Sequence, residues 1–562
     1  MFWFATVVVC FMLAVVDGQE ILQNPDFESL DNWACYHIKC TLSTDKHSGK
    51  HAMKAAERHN YYQGPLQIVN VKEGHVYNME AWIKLLNDNG KSQHVQIEMA
   101  YILNNGHINY VAVAYRNPVT SHSGWIHLKG QLVVPKGLKE SRVYFQGPDP
   151  GIDFLVDAAS MTELHLNSDN WKPEANARID QYRKSNIHIK VTTDAGVNKN
   201  SVSIDVSQKT HAFAFGTAVV AKVINNNNGG SDHKYRQFIY DNFNWAVAEN
   251  ALKWHQLEPN RGHIDYATGE KAIKILRSHG LKVRGHNLIW NGAHHLPSWV
   301  TKLPHDEQNS VVQKHIHDTV LRYKGLVEHW DVNNEMLHGD YFENTFHDPD
   351  YTKKVFKTVH QLDPSVTLFL NDYNVVASGG STNDYLAQAK DYKASHTHVG
   401  GLGVQCHFNN QPVPALIKER LDTLSQAGLP IWATELDVKT DNEHERADWY
   451  DIAYRMLFSH PSVEGILVWG FWSQHHWRGE AAAFVSGPEF KVNAAGQHYL
   501  NLVNKEWRTE NSHPLSKGTD FTFRGFRGHY EVKVKVNGKT VRTTSFDLGK
   551  NDHSLSLHVS HD

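Results

Sequence analysis

The spacing of apolar and polar positions divides the chain into three regions. Between residues 19 and 165 the pattern is alternation. In HVQIEMAY (94–101), Val95, Ile97, Met99 and Tyr101 fall on one side and polar residues on the other, the period-two mark of a half-buried strand. NYVAVAY and RVYFQG repeat it, separated by Gly, Asn and Pro turns. No helical pattern of useful length interrupts them, so this region is expected to form a β-sandwich of about 150 residues.

A short polar joint follows from Leu166 to residue 175. From 176 to 508, short apolar runs alternate with amphipathic stretches. Eight runs read as strands: FAFGTAV (213–219), NWAVAEN (244–250), LKVRGHNLIW (281–290), VEHWDVNNE (327–335), VTLFLND (366–372), GLGVQCHF (401–408), PIWATELDV (430–438) and EGILVWGFW (464–472). Helical patterns lie between them. EKAIKILRSHG turns Ile273 and Leu276 inward and stops at Gly280, and NSVVQKHIHDTVLRYKG carries Val312, Ile316 and Val320 four residues apart. Repeated β/α units predict an α/β fold, a (β/α)8 TIM barrel. Residues 513–562 alternate again, with Asn537-Gly538 as a type I′ hairpin signal, and predict a small C-terminal β element.

A length of 562 residues favours about three folding units, in agreement with the pattern. Hydrophobic residues at 41% and charged residues at 21% exclude wholesale disorder. A formal net charge of −4 argues against a nucleic-acid partner and an anionic membrane surface. The 16 Trp and 22 Tyr suit stacking on sugar rings, although burial in large domains accounts for them as well. Residues 1–18 read as a secretory signal peptide. The uncharged run Phe2–Val16 is shorter than the roughly 20 residues a membrane span needs, and Val16 and Gly18 suit cleavage after Gly18. The expected destination is extracellular. Cys10 leaves with the leader, Cys35 and Cys40 are close enough for a local disulfide, and Cys406 reads as a buried thiol. These spacings make no zinc site.

Polar residues at the carboxyl ends of barrel strands build the active site of this fold. Two such ends are acidic. WDVNNE closes the fourth strand at Glu335, and ATELDV carries Glu435 on the seventh. Glycoside hydrolysis needs this pair: one carboxylic acid protonates the leaving oxygen, and the other carboxylate attacks the anomeric carbon or activates water. Helix capping or pairing with lysine is the alternative for either residue alone. It loses force for both together in tryptophan-rich surroundings.

ENALKW (249–254), RGHNLIWN (284–291), WDVNNE (330–335), LNDYN (370–374), VQCHF (404–408), ATELDV (433–438) and VWGFW (468–472) come in one order and at one spacing. In these pieces the chain resembles glycoside hydrolase family 10, the retaining endo-β-1,4-xylanases, over residues 176–508. RIDQYRK and FRGFRGHYEV resemble its plant and animal branch. The resemblance implies Glu335 as general acid/base, Glu435 as nucleophile, Asn334 as donor to the sugar 2-hydroxyl, and His407 on the nucleophile with Asp437 behind it. Gln405, two residues earlier, is expected on the same strand face as His407. Glu249, Asn250, Lys253 and His286 match contacts on the non-reducing side, Trp290, Trp469 and Trp477 match walls around the reacting sugar, and Arg478 follows Trp477. Retention implies carboxylates about 5–5.5 Å apart, and a pKa of Glu335 raised first by the ionised Glu435.

The first region resembles the carbohydrate-binding modules around families 4, 9 and 22. NPDFES (24–29), Trp33, RHNYYQGPLQ (58–67), AWIK (81–84), Trp125 with Leu128 and Gly130, and FLVDAASM (154–161) carry the likeness. Tyr61, Tyr62 and Trp125 are its candidate sugar contacts, and Asn24, Glu28 and Asp157 candidate ligands of a structural calcium. No cofactor is required for the chemistry, and the His475-His476 pair lacks partners for a metal.

One stretch departs from the family. After GHNLIW the run is NGAHHLPSW, with Asn291 where the family has His, two extra residues before Pro297, and no clear match for a glutamine of the second sugar site. His294 and His295 line the gap or face solvent. Three functions follow: a secreted xylanase, a dual β-1,4-glucanase/xylanase, or a non-catalytic glycan-binding protein. The expected partner is a polysaccharide, xylan and with it β-1,4-glucan, with no nucleic acid, no membrane and a monomeric state.

Overall fold

The computed structural model describes residues 18–166 and 170–560. All of the expected leader except Gly18, and residues 167–169 of the joint, lie outside the described residues. The described residues divide into two compact units, one holding 18–115 with 119–166, the other 116–118 with 170–560.

The first unit is two antiparallel sheets around one core. The five-stranded sheet runs in the order Lys39–Ser43, Ala52–Ala56, Phe154–Leu164, Val76–Leu85, Ile126–Val133. The four-stranded sheet runs Leu66–Val69, Leu138–Gln146, Gln93–Leu103, Ile108–Val119. Alternation drives this arrangement: Val95, Ile97, Met99 and Tyr101 are all buried and share a core with Met79, Ala81 and Ile83 of the other sheet. Cys35 and Cys40 form a disulfide, and Cys406 is a buried free thiol.

In the second unit the barrel strands are Ala214–Val219, Trp245–Ala248, Lys282–Trp290, His329–Asn334, Thr367–Asp372, Val399–Val404, Ile431–Val438 and Val463–Val468. Each pairs in parallel with its neighbours, and the eighth returns to the first. The barrel is therefore closed, and its interior packs Trp245, Phe369, Trp432, Leu467 and Trp469. Gly285 is required here, because the Trp330 ring fills the space a β-carbon would need. The helix Tyr266–Ser278 buries Ile273 and Leu276, and His305–Tyr323 buries Val312, Ile316 and Val320. Among the described residues no helix is long and apolar enough to cross a membrane.

The structure shifts one boundary. Lys184–Thr193 and Val202–His211, placed by the sequence within 176–508, join the C-terminal strands instead. Lys184–Thr193 lies between Asp520–Phe526 and His553–Val559, and Val202–His211 between Glu510–Pro514 and Gly528–Val536. Ile187, Ile189, Val202, Ile204 and Val206 share a core with Tyr530, Val532 and Val534. The barrel begins only at Ala214, and both ends of its chain enter one β module. Alternation alone shows that a strand exists, and long-range pairing decides which sheet it joins. The hairpin at Asn537-Gly538 has positive φ at both residues, 51° and 77°, as a type I′ turn requires. The helix Trp171–Arg183 binds the Glu443–Ser459 helix through Lys172 on Asp451, and Arg183 donates to the carbonyls of Phe458 and Val463.

Candidate active site

Glu335 stands one residue beyond the fourth strand with φ of 59°, a backbone conformation that costs a non-glycine residue energy and is found at functional sites. Its N–H donates to the Asn371 carbonyl at 2.9 Å. Trp290 Nε1 donates to Oε2 at 2.9 Å, and Gln405 Nε2 to Oε1 at 2.9 Å. Burial raises its pKa most, the nearby charge of Asp372 adds to this and Glu435 contributes less, while Gln405 and Trp290 oppose; the result is about 7. Burial and Asp372 thus come ahead of Glu435, which the sequence places first. Asp372 is itself held by the Leu337 N–H at 2.8 Å and His338 Nδ1 at 2.7 Å.

Glu435 lies inside the seventh strand and is 5% exposed. His407 Nε2 donates to Oε2 at 3.3 Å and Asn371 Nδ2 to Oε1 at 2.9 Å. Burial pushes the pKa of Glu435 up, but His407, His286 and Asn371 outweigh it and hold the carboxyl at about 2. His407 Nδ1 is 3.0 Å from Asp437 Oδ2, a charge contact without hydrogen-bond alignment. Burial lowers the pKa of His407, yet Asp437 and Glu435 carry it to about 9. The imidazolium therefore keeps Glu435 ionised at neutral pH.

Two residues tie the carboxylates together. The Gln405 side chain holds Glu335, and its carbonyl accepts the Glu435 N–H at 3.1 Å. Asn371 donates to Glu435 and also to Asn334 Oδ1 at 2.9 Å, while Thr434 Oγ1 donates to Asn371 Oδ1 at 2.6 Å. Asn334 Nδ2 is left buried without a protein partner. A buried donor in that state is costly unless a ligand satisfies it, which suits a sugar hydroxyl.

The remaining residues surround this pair. Lys253 Nζ donates to Asn250 Oδ1 at 2.8 Å and lies over the rings of Trp290 and Trp469, 5.4 and 5.9 Å from their centroids. Burial lowers the pKa of Lys253 and raises that of Glu249. His286 Nδ1 is bonded to Asp331, which also pairs with buried Arg284, and its ring meets Trp469 edge-on at 5.1 Å. Trp477 is 56% exposed. Its Nε1 donates to Asp437 at 2.8 Å, and the Arg478 guanidinium lies 4.6 Å from its ring centroid.

Gln405 and His407 do not share one strand face. The sixth strand ends at Val404, Cys406 has φ of 62°, and His407–Phe408 form a separate short strand against Asp437 and Val438. The turn at Cys406 sends Gln405 to one carboxylate and His407 to the other. Asn371, Asp372 and Thr434 were not singled out by the sequence reading; the polar end of LFLNDYN was the available signal. Asn291 is buried, donating to the Gly339 carbonyl at 2.8 Å and Glu343 at 3.1 Å while accepting the Phe342 N–H. It joins the segment after the third strand to the one after the fourth, and its side-chain bonds go to Gly339, Phe342 and Glu343.

A closed barrel with two linked carboxylates of opposite pKa shift defines the class of glycosidase-type TIM barrels. The profile described as Glycosyl hydrolase family 10 matches residues 203–498, and that of a Carbohydrate binding domain matches 19–151. The chain belongs to glycosyl hydrolase family 10. It is similar to Endo-1,4-beta-xylanase 3 of Arabidopsis thaliana, 32% identical over 92% of this chain and 68% of the relative. It is also similar to Endo-1,4-beta-xylanase 1 of the same plant, 30% identical over 91% of this chain and 52% of the relative. Anti-sigma-I factor RsgI6 of Acetivibrio thermocellus is 37% identical over 73% of this chain and 51% of the relative. The chain thus spans about half the length of several curated relatives it matches.

In the first unit Tyr61 and Tyr62 are 55% and 54% exposed and meet edge-to-face at 5.4 Å. The Tyr61 carbonyl accepts the Gly147 N–H, just past the four-stranded sheet. Trp125 is not with them. It precedes a strand of the other sheet and packs edge-on against His47 at 5.8 Å, with His47, Trp82 and His127 stacked alongside. The three candidate calcium ligands each hydrogen-bond within the protein. Asp157 accepts the N–H groups of His47, Ser48 and Ala158, Glu28 that of Lys50, and Asn24 Nδ2 donates to the Ser29 carbonyl. Among the described residues no group of three or more His, Cys, Asp or Glu could hold a metal.

Proposed function

We propose that the chain is a secreted, monomeric endo-β-1,4-xylanase that cleaves plant-cell-wall xylan with retention of configuration. The reading is carried by the linked carboxylates, Glu335 at about 7 and Glu435 at about 2. One is protonated and the other ionised over the same pH range, which double displacement needs. A Glu435 oxygen attacks the anomeric carbon as the glycosidic C–O bond breaks, and the Glu335 proton passes to the leaving oxygen. Glu335, now a carboxylate, takes a proton from water as the water oxygen attacks the anomeric carbon. The ester to Glu435 breaks and both side chains return to their starting states. The Asn334 N–H is the donor for the 2-hydroxyl. The names of the Arabidopsis relatives support xylan as substrate, and the leader pattern of residues 1–18 supports secretion.

The changed loop at Asn291–Leu296 favours side activity on β-1,4-glucan, because a loosely lined pocket rejects one extra group by only about 10–200-fold. Reducing-end assays on xylan and carboxymethylcellulose test this. We expect a xylan preference in kcat/KM with measurable glucan hydrolysis. Activity on neither polymer would leave the glycan-binding reading, and glucan hydrolysis no higher than that of a Glu435→Ala control would remove the dual one.

The exposed tyrosine pair supports glycan binding by the first unit. In the full chain, replacing Tyr61 and Tyr62 together by alanine is expected to lower activity on insoluble xylan several-fold and leave short soluble oligosaccharides unaffected, since a second attachment raises only effective concentration. Equal rates on both substrates for variant and parent would contradict the assignment.

A further inference from the structure

We propose that His295 is a positioning residue for the proton donor, clamping the indole of Trp290 so that its N–H stays on Glu335. The imidazole lies flat on the Trp290 ring, with centroids 3.5 Å apart and planes 9° from parallel. Trp290 Nε1 in turn donates to Glu335 Oε2 at 2.9 Å. Gln405 Nε2 makes the matching hold on Oε1, and the Gln405 N–H is itself on the Asp372 carbonyl at 3.0 Å. The Trp290 backbone is likewise held, paired with Asn334 at the end of the third strand, but across the ring itself Lys253 Nζ stands 5.4 Å from the centroid and the other aromatic neighbour, His286, 6.4 Å away, so His295 makes the close face-to-face contact.

The loop is built to hold the clamp. His255 Nδ1 bonds the His295 carbonyl at 3.0 Å, and His294 packs against the His295 ring at 3.8 Å. Gly292 leaves room, since a β-carbon there would come within 3.1 Å of His295 Cδ2. Asn291 anchors the start of the loop to Gly339 and Glu343. Burial, with His294, His255 and Lys253 nearby, keeps the imidazole uncharged down to about pH 4. The clamp is therefore a stack of two neutral rings across the neutral range. Both Glu335 oxygens accept an N–H, so rotation of the indole would free the carboxyl to turn and misdirect its proton. Misplacement of about 1 Å can cost 10²-fold in rate.

The inference rests on Glu335 being the acid, and substrate choice separates the two. In the full chain, kcat/KM is measured on a xylo-oligosaccharide, whose leaving sugar needs a proton, and on 2,4-dinitrophenyl xylobioside, whose leaving group does not. His295→Ala is expected to lose about 10- to 100-fold on the first and nothing on the second, and His295→Phe, which keeps a flat ring, to restore the rate. In a Trp290→Phe background, which lacks the N–H, His295→Ala should add no further loss. Equal losses on both substrates, no loss on the oligosaccharide, failure of His295→Phe to rescue, or full additivity with Trp290→Phe would each overturn the clamp. Glu335→Ala is run alongside. If it too loses equally on both substrates, the acid assignment fails and not the clamp alone.

Discussion

Glu435→Ala is expected to lose turnover on xylan by about 10⁴-fold or more, with the fold retained. Removing a nucleophile that acts with its partners as a unit typically costs this much or more, and 10⁴-fold corresponds to about 5.5 kcal/mol of barrier. The substitution deletes a buried carboxylate that accepts from both His407 and Asn371, so the measured stability change must be separated from the catalytic one by circular dichroism and denaturant titration. Azide supplies the diagnostic. A small anion can enter the space left by the side chain and attack an activated aryl glycoside, giving a glycosyl azide of inverted configuration. Rescue with inversion identifies the face on which the missing nucleophile worked. Near-native activity on polymer would contradict the assignment.

Glu335→Ala has the second largest expected effect, about 10²- to 10⁴-fold on xylan, and it depends on the leaving group. With a 2,4-dinitrophenyl leaving group the first step proceeds without the acid. The second step, which needs Glu335 as base, then becomes limiting, and a pre-steady-state burst appears. The pH dependence follows from the same residues. Glu335 must carry its proton, so kcat/KM of the parent enzyme falls as pH rises through about 7. Glu435 must be ionised, so activity is lost only as pH falls toward about 2. On the activated substrate, whose first step needs no acid, the limb near 7 is expected to be absent from kcat/KM of the parent and of Glu335→Ala alike. A limb near 7 in Glu335→Ala on that substrate would assign the titration to another group.

Much of this was legible in the chain. The eight barrel strands appear as apolar runs, and the Glu335 and Glu435 motifs sit at strand ends where the fold puts chemistry. The β module was only half legible. Lys184–Thr193 alternates like any strand, and nothing local says that its partners are Asp520–Phe526 and His553–Val559. Asn371 was hidden for a related reason, since its role lies in contacts with Asn334, Glu435 and Thr434 on two other strands. The re-aiming at Cys406 was hidden too, because a left-handed residue other than glycine leaves no pattern. His295 was visible as a departure from the family, but its stack on Trp290 depends on how a longer loop folds back.

The most direct test of the central claim is the anomeric configuration of the first product. Proton NMR during early hydrolysis of a xylo-oligosaccharide, before mutarotation, resolves the two anomers of the new reducing end. A double displacement through Glu435 predicts that the β-anomer appears first and the α-anomer grows in later. Initial formation of the α-anomer would mean a single displacement by water, with Glu435 as a base and no glycosyl-enzyme.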